Sequence, residues 1–301
     1  MFQHSQSIFI KTVTPTHPGS GSDLGIVDLP IQRESHTGYP KIESSSLKGS
    51  LRDAFEQKGV EPLKIHAVFG YDESNDKGKK YKKIFDDKSQ FAGALGFSDA
   101  RILFFPVKSV RGVFAWVTSP SVIQRFIEDM SICKETIDFS VPRPNSVPQK
   151  SKTKLQNDNI VILEEYSISV HEDENTSKIA NYFKRKLDID PTKIVVLDDN
   201  TFADFVKMFT EIITRTKIDN ETGTVEEGAL FNEEYLPSET ILYSLALFAP
   251  IFAPKVQDLG LKSAEDVQKF FIANAPEVFQ IGGNATIGKG ICKLYKGQDD
   301  A

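Results

Sequence analysis

Ile281-Gly-Gly-Asn-Ala-Thr-Ile-Gly-Lys-Gly290 is the stretch that best indicates the fold. The runs on either side, residues 278–281 and 291–295, read as short strands, so the glycine segment is predicted to join a strand pair. Helical and extended patterns mix along the rest of the chain without a strict βαβα rhythm. The sequence therefore predicts an α+β fold with an antiparallel sheet.

The glycine segment nearly fits a nucleotide phosphate loop. Its G-x-x-x-x-G-K spacing is right, but Gly290 stands where Ser or Thr would bind magnesium, and a strand follows where a helix is needed. Nucleotide hydrolysis is therefore disfavoured. Glycine lets a phosphate approach the main-chain N–H groups, so a polymer backbone is the predicted ligand, and a tight hairpin without a ligand is the alternative. The predicted contacts are Gly282, Gly283, Asn284, Gly288, Lys289 and Gly290.

A second candidate phosphate site is the string S-S-S-L-K-G-S-L-R at residues 44–52. Leu47, Leu51 and Phe55 recur on one helical face, and the three serines are predicted to cap the helix. Free amides and the dipole at a helix N-terminus favour anions. A capped helix with solvated basic residues fits equally well. The predicted contacts are Ser45, Ser46, Lys48, Gly49 and Arg52.

The composition is that of a globular protein with a sizeable core. The chain has 301 residues, 40% of them hydrophobic, and a formal net charge of −6, which by itself argues against nucleic acid. Lysines nevertheless cluster at residues 77–88 and 150–154, and an acidic protein can present one basic face. Only Cys133 and Cys292 are present, and the longest apolar stretch, residues 241–254, is too short for a membrane span. These features predict a cytoplasmic location.

Residues 1–301 are predicted to form a single domain with four insertions. A long loop rich in Pro, Gly and Ser covers residues 14–45, and polar loops cover residues 71–90 and 138–158. The turn signal Asp219-Asn-Glu-Thr-Gly223 predicts a protruding hairpin at residues 216–240. A helix is predicted at residues 202–214, and strands are predicted at residues 160–170 and 241–248.

Several strings together resemble one known family. They are T-P-T-H-P-G-S-G at 14–21, V-D-L-P-I-Q-R-E at 27–34, H-T-G-Y-P-K-I at 36–42, S-S-L-K-G-S-L-R at 45–52, E-E-Y-L-P at 233–237 and the glycine segment. The combination is similar to the RAMP superfamily of CRISPR proteins, and within it to backbone subunits of type III-B Cmr effector complexes. The resemblance runs from the first predicted strand to the last.

The resemblance implies a ferredoxin-like, RRM-related core whose hairpin is a thumb between guide and target RNA. The implied partners are the CRISPR guide RNA, the complementary target RNA, further copies in a helical stack and other Cmr subunits, with no membrane. It also implies target cleavage that depends on a divalent metal ion, Mg²⁺ or Mn²⁺. The implied catalytic residues are Asp28, which would also bind the metal, His17, Glu233 and Tyr235.

Three alternatives stay open on the sequence alone. The chain could be a non-catalytic scaffold for the guide RNA, because a single loop carboxylate is weak evidence for an active site. It could be a metal-independent nuclease that processes the guide through His17 or His36. It could also be an enzyme that binds a small phosphate compound, although the phosphate-loop helix is missing.

Overall fold

The structure is a computed structural model that describes residues 2–22, 25–72, 79–85, 90–155, 158–219, 221–253, 255 and 259–297. Its helices are α1 (Ser44–Gln57), α2 (Pro62–Phe69), α3 (Pro120–Ile132), α4 (Glu174–Leu187), α5 (Asp199–Met208) and α6 (Ala264–Asn274). Short 3₁₀ helices lie at Lys79–Phe85, Pro191–Lys193 and Ala285–Ile287.

Strands account for most of the remaining regular structure. They are β1 (His4–Thr12), β2 (Lys41–Ile42), β3 (Tyr71–Asp72), β4 (Gln90–Phe91), β5 (Leu95–Phe97), β6 (Ala100–Lys108), β7 (Phe114–Thr118), β8 (Ser146–Val147), β9 (Ile160–Leu163), β10 (Tyr166–Ser169), β11 (His171–Glu172), β12 (Ile194–Val196), β13 (Glu211–Ile218), β14 (Val225–Tyr235), β15 (Ile241–Phe248), β16 (Val278–Gln280) and β17 (Ile291–Tyr295).

Eleven of these strands form one sheet. Its order is β11-β8-β12-β7-β6-β15-β1-β17-β16, with β2 added on β6 and β5 added on β15. The pairs around β1 are antiparallel, whereas β12 pairs with β7 and β11 pairs with β8 in parallel. The predicted α+β class with a mostly antiparallel sheet is confirmed.

Apolar helix faces cover both faces of this sheet. Along β1, Phe9 packs into a cluster with α3, α4 and α5, whereas Ile8 and Ile10 pack into another with α1, α2 and α6. This alternation follows from the two-residue period of a strand. Burying each large apolar side chain contributes about 1.5–3 kcal/mol. At β1, therefore, neither face of the sheet is open to a ligand.

A β-hairpin is present in this region, but its predicted bounds of residues 216–240 were wrong. Strand β13 begins at Glu211, inside the helix predicted at residues 202–214, and α5 ends at Met208. The isoleucines at 212 and 213 fit both a helical and a strand periodicity, and these residues form a strand because they pair with β14. The hairpin also ends at Tyr235, before the predicted residue 240. Within the part of the chain that the structure describes, its two strands form regular ladders only with each other.

Other predicted elements were corrected in detail. The strand predicted at 160–170 is the hairpin β9–β10, which turns at Glu164 with a positive φ of 49°. The polar loop predicted at 138–158 buries Phe139 and Val147. Much of the loop at 71–90 lies outside the described residues. Among the residues described, no helix has the length and apolar character needed to cross a bilayer.

Candidate nucleic-acid interface

The long loop at residues 14–45 lies along the base of the β13–β14 hairpin. The Leu29 amide donates to the Asn232 carbonyl at 3.0 Å, and the Glu234 amide donates to the Leu29 carbonyl at 3.0 Å. This pairing places Asp28 beside the hairpin, where its Oδ2 accepts the Asn232 amide at 2.8 Å. Asp28 is exposed. Its carboxylate is therefore held at one oxygen and open to a ligand.

His17 lies underneath the same strand of the hairpin. Its Nδ1 is 2.6 Å from the Glu234 carbonyl oxygen, and its ring is 5.5 Å from the Tyr235 ring. A carbonyl only accepts, so Nδ1 carries the proton in that hydrogen bond and Nε2 keeps the lone pair of the neutral ring. His17 is buried, and Gly19 lies directly beside Nε2, since a Cβ at residue 19 would be 2.8 Å from that nitrogen.

Glu233 and Tyr235 belong to a polar network on one face of the hairpin. The Tyr235 hydroxyl donates to Glu233 Oε2 at 2.5 Å and accepts from Arg215 Nη2 at 2.6 Å. Asn284 donates to both Glu233 oxygens and to the Tyr235 hydroxyl. Burial raises the pKa of Glu233, but the Tyr235 and Asn284 hydrogen bonds and the Arg215 charge outweigh burial and keep that pKa below its usual range. Glu233 is therefore ionised and fully engaged.

The glycine segment packs against His17 rather than standing free. Gly282 has a φ of 79°, and a Cβ there would lie 2.1 Å from the His17 carbonyl oxygen. The RNA contacts of this segment stay a prediction, but four of its main-chain amides donate inside the protein and are already engaged. They are the amides of Gly283, Gly288, Lys289 and Gly290. The Lys289 ammonium lies 5.0 Å above the Tyr235 ring, so a positive charge still marks this surface.

Helix α1 begins differently from the prediction. Its N-cap is Glu43, without a side-chain cap hydrogen bond, so the three serines do not cap the helix. The Ser44 amide donates to Asp99 Oδ1 at 2.9 Å, which occupies one of the first-turn amides. Burial and the Arg52 charge lower the pKa of Lys48. The Arg52 guanidinium is bound to Glu56, to the Gly70 carbonyl and to His66.

Gln32 brings the start of α1 and the glycine segment to one surface. Its amide donates to the Gly19 carbonyl at 3.1 Å and to the Ser46 hydroxyl at 3.2 Å. The Gly283 amide in turn donates to the His17 carbonyl at 3.1 Å. The two predicted phosphate-binding segments thus both adjoin the loop that carries Asp28.

Comparison with known proteins identifies the family of this chain. The family model described as the RAMP superfamily matches residues 9–293. The chain belongs to the RAMP superfamily. It is 38% identical over 297 residues to a protein of Pyrococcus furiosus named CRISPR system Cmr endoribonuclease Cmr4, covering 95% of this chain and 93% of that protein. It is 27% identical to the CRISPR system CMR subunit Cmr4 of Saccharolobus solfataricus, covering 95% and 94%.

Solved structures share the RAMP fold along nearly the whole chain. The crystal structure of oligomeric Cmr4 from Pyrococcus furiosus superposes with a TM-score of 0.70 at 30% identity, over 97% of both chains. A chain in the cryo-EM structure of the type III-B Cmr-beta complex bound to cognate target RNA gives a TM-score of 0.74 at 21% identity, over 98% and 97%. The second likeness is evidence for the fold alone.

The RAMP chain offers a sparse set of donors for a metal ion. In the parts of the chain that are described, no group of three or more His, Cys, Asp and Glu side chains is arranged to hold one. Asp28 has one carboxylate oxygen engaged by Asn232. Such a donor set fits a cation that keeps most of its waters and shares a substrate phosphate, as Mg²⁺ commonly does.

Sequence reasoning missed residues that hold the RAMP site together. Arg215 binds Glu233 and Tyr235 from the neighbouring strand, and Asn232 fixes Asp28 through its amide. Glu234 was taken only as part of the E-E-Y string, yet it is buried and bonded to the long loop. The doublet of glutamates was the available signal, because adjacent strand residues face opposite sides, and here both carboxylates are buried.

Two of the three lysines of the second run are paired with carboxylates, while Lys150 is exposed. Lys152 pairs with Asp190 at 3.0 Å, and Lys154 pairs with Glu172 at 2.9 Å. In the first run, residues 77 and 88 lie outside the described residues. The candidate interface therefore rests on the long loop, the hairpin base, the glycine segment and the start of α1.

Proposed function

We propose that this RAMP protein is the backbone subunit of a type III-B CRISPR effector complex, in which it cuts guide-paired target RNA. The observation that carries the proposal is the exposed Asp28 carboxylate fixed at the base of the hairpin. The 38% identity to a Cmr endoribonuclease over nearly the whole chain supports it. Its partners would be the guide RNA, the target RNA and other Cmr subunits.

Stacking of copies along the guide is part of the proposal. The oligomeric state named for the Pyrococcus furiosus relative supports it. Contacts between copies that repeat without closing a ring produce a helical stack. Sequence specificity would come from base pairing, so the protein needs only contacts to backbone and shape. Two unpaired cysteines fit a reducing cytoplasmic location.

The core would be ferredoxin-like, and the hairpin would be the thumb. Strands β17-β1-β15-β6 lie side by side and are antiparallel, with α1 between β1 and β6 and α6 between β15 and β17 in the chain, as in a split βαβ arrangement. The hairpin carries exposed apolar side chains that could pack on bases. They are Ile212, Ile218, Val225 and Leu230.

The cutting reaction would depend on geometry imposed by the protein. The hairpin would displace a target nucleotide, and the bend would bring its 2′-oxygen into line with the adjacent phosphate. A neutral His17 would accept the 2′-hydroxyl proton on Nε2, because its Nδ1 donates to the Glu234 carbonyl. The 2′-oxygen would then bond to phosphorus as the P–O5′ bond breaks, and the leaving 5′-oxygen would take up a proton from water. Glu233 and Tyr235 would hold the strand that carries Asn232 against the glycine segment.

A divalent cation, Mg²⁺ or Mn²⁺, is proposed to bind at Asp28. The Asp28 carboxylate would be the protein group that holds it. Once bound, the cation would neutralise phosphate charge during cleavage. Loss of target cleavage in excess chelator, with recovery on adding Mg²⁺, is the expected result. Cleavage that survives chelation would instead favour a metal-independent reaction through His17 or His36.

The decisive experiment is target cleavage by the reconstituted complex with Asp28→Ala and Asp28→Asn. Asparagine keeps an oxygen that can accept the Asn232 amide and removes only the charge. Both variants should assemble and bind target RNA normally, yet fail to cut it. Asp188→Asn is the matched control, because Asp188 is exposed at the end of α4. Its backbone is in the left-handed helical conformation, which asparagine tolerates.

Two results would count against the proposal. Normal cutting by Asp28→Asn would show that the carboxylate charge is not needed. Absence of cutting by the wild-type complex, with intact guide and target binding, would favour a scaffold without catalytic function.

A further inference from the structure

The buried Glu234 carboxylate connects strand β14 with the long loop and with Thr210, the residue before the hairpin. Its Oε2 accepts the Ile31 amide at 3.0 Å, which fixes the long loop three residues after Asp28. Its Oε1 accepts the Thr210 hydroxyl at 2.7 Å and also pairs with the Arg33 guanidinium. One side chain therefore joins the loop to the residue that precedes the hairpin.

The main chain of Glu234 reaches two further groups of the site. Its amide donates to the Leu29 carbonyl at 3.0 Å, next to Asp28 in the chain. Its carbonyl oxygen lies 2.6 Å from His17 Nδ1. Hydrogen bonds to this one residue of β14 therefore hold both His17 and Leu29, the neighbour of Asp28.

Arg33 completes the arrangement from the loop side. Its Nη1 donates to the Gly38 carbonyl at 2.8 Å and to the Val206 carbonyl at 3.1 Å, while Nη2 binds Glu234. The Glu234 side chain is 6% exposed and that of Arg33 is 24% exposed. A buried ion pair is weak evidence for added stability, because desolvation offsets much of its attraction. The main effect of this pair is therefore to fix the position of the long loop relative to strand β14, rather than to add stability.

We infer that Glu234 and Arg33 form a positioning clamp, which sets Asp28 and His17 at a fixed place relative to the hairpin. This inference rests on the proposed cleavage function. Neither side chain touches the RNA in this role, since both act through the loop and the strand. A reacting group displaced by about 1 Å can lose about 10²-fold in rate. The clamp therefore controls the rate of cutting and the position of the cut, and leaves target binding unchanged.

The test uses the reconstituted complex with Glu234→Gln and Arg33→Lys. Single-turnover cleavage at saturating target should slow by about 10²-fold, and products one nucleotide to either side of the main cut should appear. The target concentration for half-maximal rate and the mass of the assembled complex should match the wild type. The matched control is Glu172→Gln, which breaks the partly exposed pair with Lys154 and should cut like the wild type.

A milder variant covers the case in which Glu234→Gln fails to assemble. Thr210→Val keeps the side-chain shape and the ion pair but removes one hydrogen bond to Glu234 Oε1. It should slow cutting by about 3- to 10-fold with normal assembly, as expected for one net hydrogen bond. A wild-type rate in Thr210→Val would then overturn the clamp.

Two outcomes with assembled variants overturn the inference. One is cutting at the wild-type rate and position by both Glu234→Gln and Arg33→Lys. The other is a loss of target binding as large as the loss of rate, which would indicate general unfolding of the loop. If Asp28→Ala also cuts like the wild type, the proposed function fails, and that result is distinguishable from failure of the clamp alone.

Discussion

The Asn284 side-chain amide lies 3.1 and 3.2 Å from the two carboxylate oxygens of Glu233. Asn284 belongs to the glycine segment and Glu233 to strand β14, so these hydrogen bonds join the predicted RNA-gripping segment to the hairpin. The carboxylate also receives the Tyr235 hydroxyl and the Arg215 guanidinium. A carboxylate held ionised by so many donors is better suited to holding the site together than to accepting a proton from RNA.

Removing Arg215 should destabilise the fold in a pH-dependent way. Arg215→Ala leaves the buried Glu233 without its cation, and a quarter of the Arg215 side chain is exposed, so we expect a loss of about 1–3 kcal/mol at pH 7. The pKa of Glu233 is lowered in the folded protein, so this stabilisation is complete above the unfolded carboxyl pKa of about 4.3. It disappears as pH falls through the lower folded pKa. Urea unfolding of wild type and variant at pH 7 and pH 3 measures both effects.

The matched control for Arg215 is an exposed pair. Lys178→Ala breaks the ion pair with Glu174 one turn away on α4 and should leave the unfolding midpoint nearly unchanged at both pH values. An equal loss for Arg215→Ala at pH 7 and pH 3 would contradict the assignment of the effect to the Glu233 charge.

Guide-RNA binding through Lys48 should weaken as pH rises. Burial and the Arg52 charge lower the pKa of Lys48, so its ammonium loses a proton at a lower pH than an ordinary lysine. A phosphate contact favours the charged form, so binding takes up a proton wherever the pH exceeds the lowered pKa. Lys48→Arg should abolish this dependence, because a guanidinium keeps its charge. Fluorescence anisotropy with guide RNA from pH 7 to pH 10 is the measurement.

Two further variants sharpen the Lys48 prediction. Lys48→Ala should weaken binding throughout the pH range and reduce the slope of log K against log salt by about one. Lys269→Ala removes an exposed ion pair with Glu265 on α6 and should bind as the wild type does. A Lys48→Arg protein that keeps the wild-type pH profile would show that another group is responsible.

Access to His17 can be tested at a glycine. Gly19→Ala adds a Cβ 2.8 Å from His17 Nε2, while the Gly19 backbone is in a region open to alanine. If Nε2 accepts the 2′-hydroxyl proton, cleavage should fall by 10²-fold or so, the size of a lost general base, with target binding retained. Gly96→Ala is the matched control, since its Cβ would lie 2.8 Å from the Phe2 ring. Full activity in Gly19→Ala would remove His17 from the proton transfer.

Local patterns predicted the central strands well and the site only in part. The strand predicted at residues 241–248 has the same bounds in β15, because its residues are apolar except Ser244 and Pro250 follows two residues after its end. Residues 211–214 were misassigned to a helix, since their partner in β14 is distant in sequence. The α1 cap was missed because Glu43 takes that position by its backbone angles alone.

The division of labour between Glu233 and Glu234 was not predictable from sequence. The two residues are identical in chemistry and adjacent, and only the register of β13 against β14 decides which faces which side. Ile213 pairs with Glu233 and Ile212 pairs with Glu234. One carboxylate consequently meets Arg215 and Asn284, and the other meets Arg33. The E-E-Y string therefore located the segment in the sequence, but only the pairing of β13 with β14 determines which side chains contact Glu233 and which contact Glu234.

The close packing of the glycine segment on His17 gives a prediction with an internal control. Gly282 and Gly288 have similar φ angles of 79° and 77°, so alanine at either position costs about 1–2 kcal/mol in backbone strain. Only at residue 282 would the new Cβ also meet backbone, 2.1 Å from the His17 carbonyl oxygen, whereas at residue 288 it meets open space. Urea unfolding should therefore show a larger loss for Gly282→Ala than for Gly288→Ala. Because the clash pushes on His17 itself, Gly282→Ala should also slow target cleavage beyond any loss of folded protein. Equal destabilisation of the two variants would mean that the segment can move away from His17 without cost.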